Sequence, residues 1–82
     1  MMRARIRLDT TSDVEKFVQI TGSKEITGRI VIKDSTGLCV NAKSILGALH
    51  AMEFSELWLE SENDYWVALQ DFIIIEPPKL EE

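Results

Sequence analysis

The chain has 82 residues, 45% of them hydrophobic and 28% charged, with a formal net charge of -5. That suits one small globular domain whose apolar residues share one face of each element. The acidic balance argues against nucleic acid and anionic membrane as partners, because phosphate contacts need clustered Lys and Arg. Cys39 is the single cysteine, so no internal disulfide can form, and no Cys/His set has zinc spacing. The first residues alternate charge instead of forming a leader, and no apolar run approaches the ~20 residues of a membrane span. A cytoplasmic protein without metal or cofactor is the expectation.

Residues 3–8 alternate, Ala4, Ile6 and Leu8 against Arg3, Arg5 and Arg7, which predicts a half-buried strand. Ser12, with Glu15 three residues on, reads as a capping box. Val14, Phe17, Val18 and Thr21 then fall at helical spacing, up to a stop at Gly22. Period two returns over 25–33, with Ile26, Ile30 and Ile32 sharing a face with Gly28, and Thr27, Arg29, Val31 and Lys33 opposing them. Asp34-Ser35-Thr36-Gly37 is turn chemistry, so residues 38–41 close a hairpin. A helix from Lys43 or Ser44 to about Glu53 carries Ile45, Leu46, Leu49 and Met52 as its apolar set. A strand over 56–61 turns Leu57 and Leu59 inward, and Glu56, Trp58 and Glu60 outward. A last helix starting near Asn63 or Asp64 aligns Tyr65, Ala68, Leu69, Phe72 and Ile73. Pro77 and Pro78 end regular structure ahead of a short acidic tail. The order β-α-β-β-α-β-α predicts an α+β domain over 1–76, a four-stranded antiparallel sheet with its helices on one face, and a tail over 77–82.

Val40-Asn41-Ala42-Lys43-Ser44-Ile45-Leu46-Gly47 resembles the stretch of the HPr family of the bacterial phosphotransferase system, Crh-like members included, in which the third strand feeds the second helix. Phe17-Val18-Gln19 and the order of elements extend the resemblance over most of the chain, while residues 40–47 carry its specificity. The resemblance implies an open-faced sandwich of HPr type. It implies that Ser44 is the regulatory serine modified by HPr kinase. It also implies that Ile45, Leu46 and Leu49 form the exposed patch that meets the kinase, enzyme I or transcriptional regulators. The residues are compatible with this: a serine opening a helix caps free N–H groups, and the same groups and the helix dipole favour a phosphate there. The simpler reading of Ser44 is a plain N-cap.

The chain departs from the family where the family carries its phosphate. There a histidine follows the first strand, with Arg-Pro-Ala behind it. Here Asp9-Thr10-Thr11-Ser12-Asp13 is shorter and holds no histidine, arginine or proline. Helix N-terminal amides can still bind an anion, but no imidazole stands there for reversible phosphoryl transfer. Asp9 and Asp13 repel phosphate as well. The usual carrier chemistry is expected to be absent, and no enzyme is expected.

The remaining candidates have plain readings beside sharper ones. His50, the only histidine, reads as a solvent-facing or interface residue, and otherwise as an unusual phospho-acceptor. Arg3, Arg5 and Arg7 either line a phosphate-binding stripe or, with the first and last strands adjacent, pair with Glu56, Trp58 and Glu60. Each ion pair or cation–π contact of that kind contributes ~0.5–1 kcal/mol. Trp58 on the outer face offers a homodimer surface. Cys39, lacking a basic neighbour, reads as a packed thiol. Three functions follow: a non-carrier regulatory or adaptor protein, a phosphocarrier using His50, and a structural or dimerisation module.

Overall fold

Alternation decides the sheet. In β1 (Met2–Ile6) the side chains of Met2, Ala4 and Ile6 are buried, while Arg3 stands in solvent. The same alternation runs through β4 (Leu57–Ser61), which pairs antiparallel with β1 in the register Arg3↔Glu60, Ala4↔Leu59 and Arg5↔Trp58. The other flank of β4 pairs with β2 (Ile30–Lys33), and β2 with β3 (Cys39–Asn41), giving a four-stranded antiparallel sheet in the order β1-β4-β2-β3. The computed structural model describes residues 1–74.

Two helices, α1 (Thr11–Thr21) and α2 (Ile45–Ala51), cover the inner face. Val14 and Phe17 of α1 and Ala48 and Ala51 of α2 join Ile6, Ile30, Ile32 and Leu59 of the sheet in one core. The fold is therefore α+β, a four-stranded antiparallel sheet with two helices packed on its apolar side. No helix among the described residues is long and apolar enough to cross a membrane.

The sequence places several boundaries differently. The cap of α1 is Thr10 and not Ser12: the Thr10 hydroxyl accepts from the Asp13 N–H at 3.1 Å, and the Asp13 carboxylate accepts from the Thr10 N–H at 3.2 Å. Two capping boxes overlap in this stretch, and the earlier one also satisfies the Asp9 N–H, at 3.0 Å. The second strand begins only at Ile30, because Gly28 takes a φ of +80° that a strand does not continue through. The second helix ends at Ala51, short of Glu53.

The largest correction concerns the third helix. Residues 66–72 form successive turns and not a helix. Their bonds alternate in span: the Leu69 N–H donates to the Tyr65 carbonyl, but Gln70 and Phe72 reach back only to Val67 and Leu69. The cause is the edge of the sheet. The Arg7 N–H donates to the Phe72 carbonyl at 2.9 Å and the Ile74 N–H to the Arg5 carbonyl at 2.8 Å, so Ile73 bridges Ile6 along β1. Consecutive isoleucines suit this extended hand-over better than a helix end. The expected burial still holds in part: Leu69 and Phe72 are buried, Phe72 meeting Phe17 edge-on at 5.4 Å between ring centroids. The tail over 77–82, and the domain limit at 76, lie outside the described residues.

The outer face is a polar ladder. Arg3 pairs with Glu60 at 3.3 Å and Arg5 with Glu56 at 3.9 Å, while Lys33 reaches Glu60 from the other side at 3.0 Å. The Arg3 guanidinium lies 4.7 Å from the Trp58 ring centroid, and the Trp58 indole N–H donates to Glu56. The structural reading of the arginines thus holds for Arg3 and Arg5. Arg7 instead pairs with Asp9, at 3.2 Å. Cys39 is exposed on the outward side of edge strand β3, not packed, since neither helix covers that face.

Candidate functional site

Two helix starts compete as functional sites, and their local chemistry separates them. At α1 the chain itself engages the Asp13 N–H and the two N–H groups ahead of the helix, while those of Thr11 and Ser12 have no hydrogen-bond partner among the described residues. The Asp13 carboxylate takes the Asp9 and Thr10 N–H groups, and the Thr10 hydroxyl takes that of Asp13. The adjoining cleft is lined by Arg7, Lys16 and three carboxylates, those of Asp9, Asp13 and Asp71. An incoming anion would face all three carboxylates.

At α2 the arrangement is the reverse of an ordinary surface helix. Ser44, with extended backbone angles of φ -100° and ψ 128°, caps the helix: its hydroxyl accepts from the Gly47 N–H at 3.3 Å. The face turned to the core carries only the small Ala48 and Ala51, both fully buried. The large side chains point the other way. Ile45 is 46% exposed, Leu46 76% and Leu49 36%. Of the apolar set read from helical spacing, Met52 packs against the core while Ile45, Leu46 and Leu49 do not, and the exposure implied by the family resemblance is what these three residues have.

The small core face has a geometric cause. A Cβ added at Gly47 would lie 2.6 Å from the Asn41 carbonyl oxygen, so the helix start sits directly on the exit of β3. Bulky residues at 48 or 51 would lever it away.

His50 is exposed, beside the buried Ala51 in the last turn of α2. Its ring packs at a tilt on Phe54, 5.8 Å between centroids. No hydrogen bond or ion pair holds the imidazole among the described residues, Glu53 included. Nothing orients it as a phospho-acceptor would need. Among the described residues no group of three or more His, Cys, Asp or Glu is placed to hold a metal ion.

The structure therefore gathers Ser44, Ile45, Leu46 and Leu49 along α2, and among the described residues it gives the His50 imidazole no hydrogen bond or ion pair. Sequence reasoning overlooked the polar cluster around Tyr65. Its hydroxyl donates to the Thr27 carbonyl at 2.8 Å and accepts from the Thr27 N–H at 2.9 Å. The Thr27 hydroxyl first, then Asn63 and the Thr27 backbone, hold the phenol below its ordinary value of 10.0 against an opposing desolvation. No spacing signal announces a contact between residues 38 apart.

Comparison with known proteins returns no matching family model, no matching curated protein and no matching solved structure.

Proposed function

We propose that this chain is an HPr-like, non-carrier regulatory or adaptor module that docks protein partners through α2, with Ser44 as a phosphorylation switch. The observation that carries the reading is the inverted helix: alanines inward, and Ile45, Leu46 and Leu49 in solvent beside a capping serine. Apolar side chains of this size grouped on one exposed helix mark an interaction surface. The sheet, in which the first strand lies beside the last, supports the likeness to the HPr type. So does the segment from Val40 to Gly47.

The chemistry at α1 opposes a carrier role. A phosphocarrier needs a nucleophile whose proton leaves near neutral pH and amides free to receive the phosphoryl oxygens. The carboxylates of Asp9 and Asp13 line the cleft beside those amides and oppose a phosphoryl group there, and the segment offers no imidazole. The module is not an enzyme in this reading. Its partners are proteins of the phosphotransferase system or its regulators: the kinase itself, enzyme I or a transcriptional regulator.

The test is chemical-shift mapping. Isotope-labelled protein titrated with HPr kinase should show its largest perturbations at Ser44, Ile45, Leu46 and Leu49, and Leu46→Glu should abolish them with the spectrum otherwise unchanged. Perturbations centred on Trp58 and the outer sheet, or none at all, would overturn the docking assignment.

A further inference from the structure

The junction between β3 and α2 holds one buried polar contact that docking alone does not use. Ala42 is fully buried there. Its N–H donates to the Ile30 carbonyl at 3.1 Å, but no backbone N–H of the described residues reaches its own carbonyl. The donor is instead the Thr21 hydroxyl, at 2.8 Å. Thr21 ends α1 and is itself fully buried. The same hydroxyl lies 3.3 Å from the Val18 carbonyl, and its single proton serves the shorter contact.

The chain beyond Ala42 has little slack. The Lys43 N–H donates to Asn41 Oδ1 at 2.9 Å and the Ser44 N–H to the Asn41 carbonyl at 3.2 Å. The Lys43 ammonium binds the Ile26 carbonyl at 2.9 Å, and Gly47 rests on the Asn41 backbone. A displacement of the Ala42 peptide is therefore passed on to Ser44 and to the first turn of α2.

We propose that Thr21 is a positioning residue for the docking surface. By holding the Ala42 carbonyl, its hydroxyl fixes how Ser44 caps α2 and how Ile45, Leu46 and Leu49 are presented, so that α1 and α2 act as one body. The inference rests on the reading of α2 as the docking element. Leaving a buried acceptor unpaired is costly, and here the cost falls on the segment that carries the site.

The experiment compares Thr21→Val, which keeps the volume and loses the donor, with Thr21→Ser, which keeps the donor and loses a methyl group. Amide hydrogen exchange is read at Ser44, Gly47 and Ala48, with Ala4 and Leu59 as reporters of global stability. Thr21→Val should speed exchange at the first three amides roughly tenfold more than at Ala4 and Leu59, the scale of one lost buried hydrogen bond. Thr21→Ser should stay near the parent. Equal acceleration everywhere, or a selective loss in Thr21→Ser, overturns the proposal. Should Thr21→Val fail to fold, Thr21→Ser decides alone: selective loss at the three amides refutes it, and parental protection supports it.

A second readout joins this to function. With HPr kinase and ATP, Thr21→Val should raise the KM for Ser44 phosphorylation several-fold with kcat little changed, and Thr21→Ser should restore it. A change in kcat alone overturns the positioning role. If the parent itself is not phosphorylated, the switch at Ser44 fails, while the exchange measurements still decide on Thr21.

Discussion

Gly47 shows how a single atom shapes this molecule. With its absent Cβ 2.6 Å from the Asn41 carbonyl, Gly47→Ala must push the first turn of α2 off β3, and it should cost about 1–3 kcal/mol, as overpacked positions do. Chemical denaturation measures this; a neutral or stabilising alanine would show that the junction yields. Asp34 acts at the same scale in the β2–β3 turn, where its carboxylate accepts from the Thr36 hydroxyl at 2.7 Å and from the Thr36 and Leu38 N–H groups. The Thr36 hydroxyl first, and the backbone bonds after it, hold the carboxyl below its ordinary 3.8 despite an opposing desolvation. A depressed folded-state pKa stabilises the fold above the unfolded value, and the contribution is lost as pH falls through the folded value. Titration of the Asp34 carboxyl by NMR should give a midpoint below 3.8, which Thr36→Val raises toward the ordinary value. An unchanged midpoint would remove the hydroxyl as its cause.

Among the elements, α2 separates fold from function most cleanly. Leu46→Ser removes an exposed side chain and should change stability by no more than about 0.5 kcal/mol, whereas Ala48→Leu drives a large residue into the core and should cost about 1–3 kcal/mol. Thermal denaturation of both variants distinguishes this orientation from a rotated helix, in which the two effects would change places. The strands were legible because period two is a direct image of the pleat: Arg3 and Arg5 outward, Ala4 and Ile6 inward, and Leu57 and Leu59 opposite them. The run of turns over residues 66–72 was not, because apolar spacing reports which side chains are buried and not which backbone bonds they make. Leu69 and Phe72 fill the core as their spacing says, yet Ile73 and Ile74 spend their backbone on the edge of β1. The same gap hid the orientation of α2. Leu, Ile and Ala are all apolar in a periodicity count, and only the approach of Gly47 to Asn41 tells which size of side chain fits beneath the helix.

For the whole molecule, the sheet sorts its two faces by chemistry. The inner face and both helices form one core, and the outer face binds Arg3, Glu60 and Lys33 in a connected set of partly exposed ion pairs. Such pairs are worth little singly, so the outer ladder serves solubility and register more than stability. The function proposed for this frame lies at the apolar side chains that α2 holds in solvent, and not at α1, where the carboxylates of Asp9, Asp13 and Asp71 line the cleft that an anion would enter. The candidate site was half legible: Ser44 reads as a cap from sequence alone, but the exposure of Ile45, Leu46 and Leu49 came only by resemblance, since their spacing argued for a core face. The most direct measurement is the mass of the intact protein after incubation with HPr kinase and ATP, and separately with enzyme I and phosphoenolpyruvate. The account predicts one added phosphate in the first reaction, absent in Ser44→Ala, and none in the second. An unmodified Ser44 where authentic HPr is converted, or a phosphate on His50 in the second reaction, would contradict it.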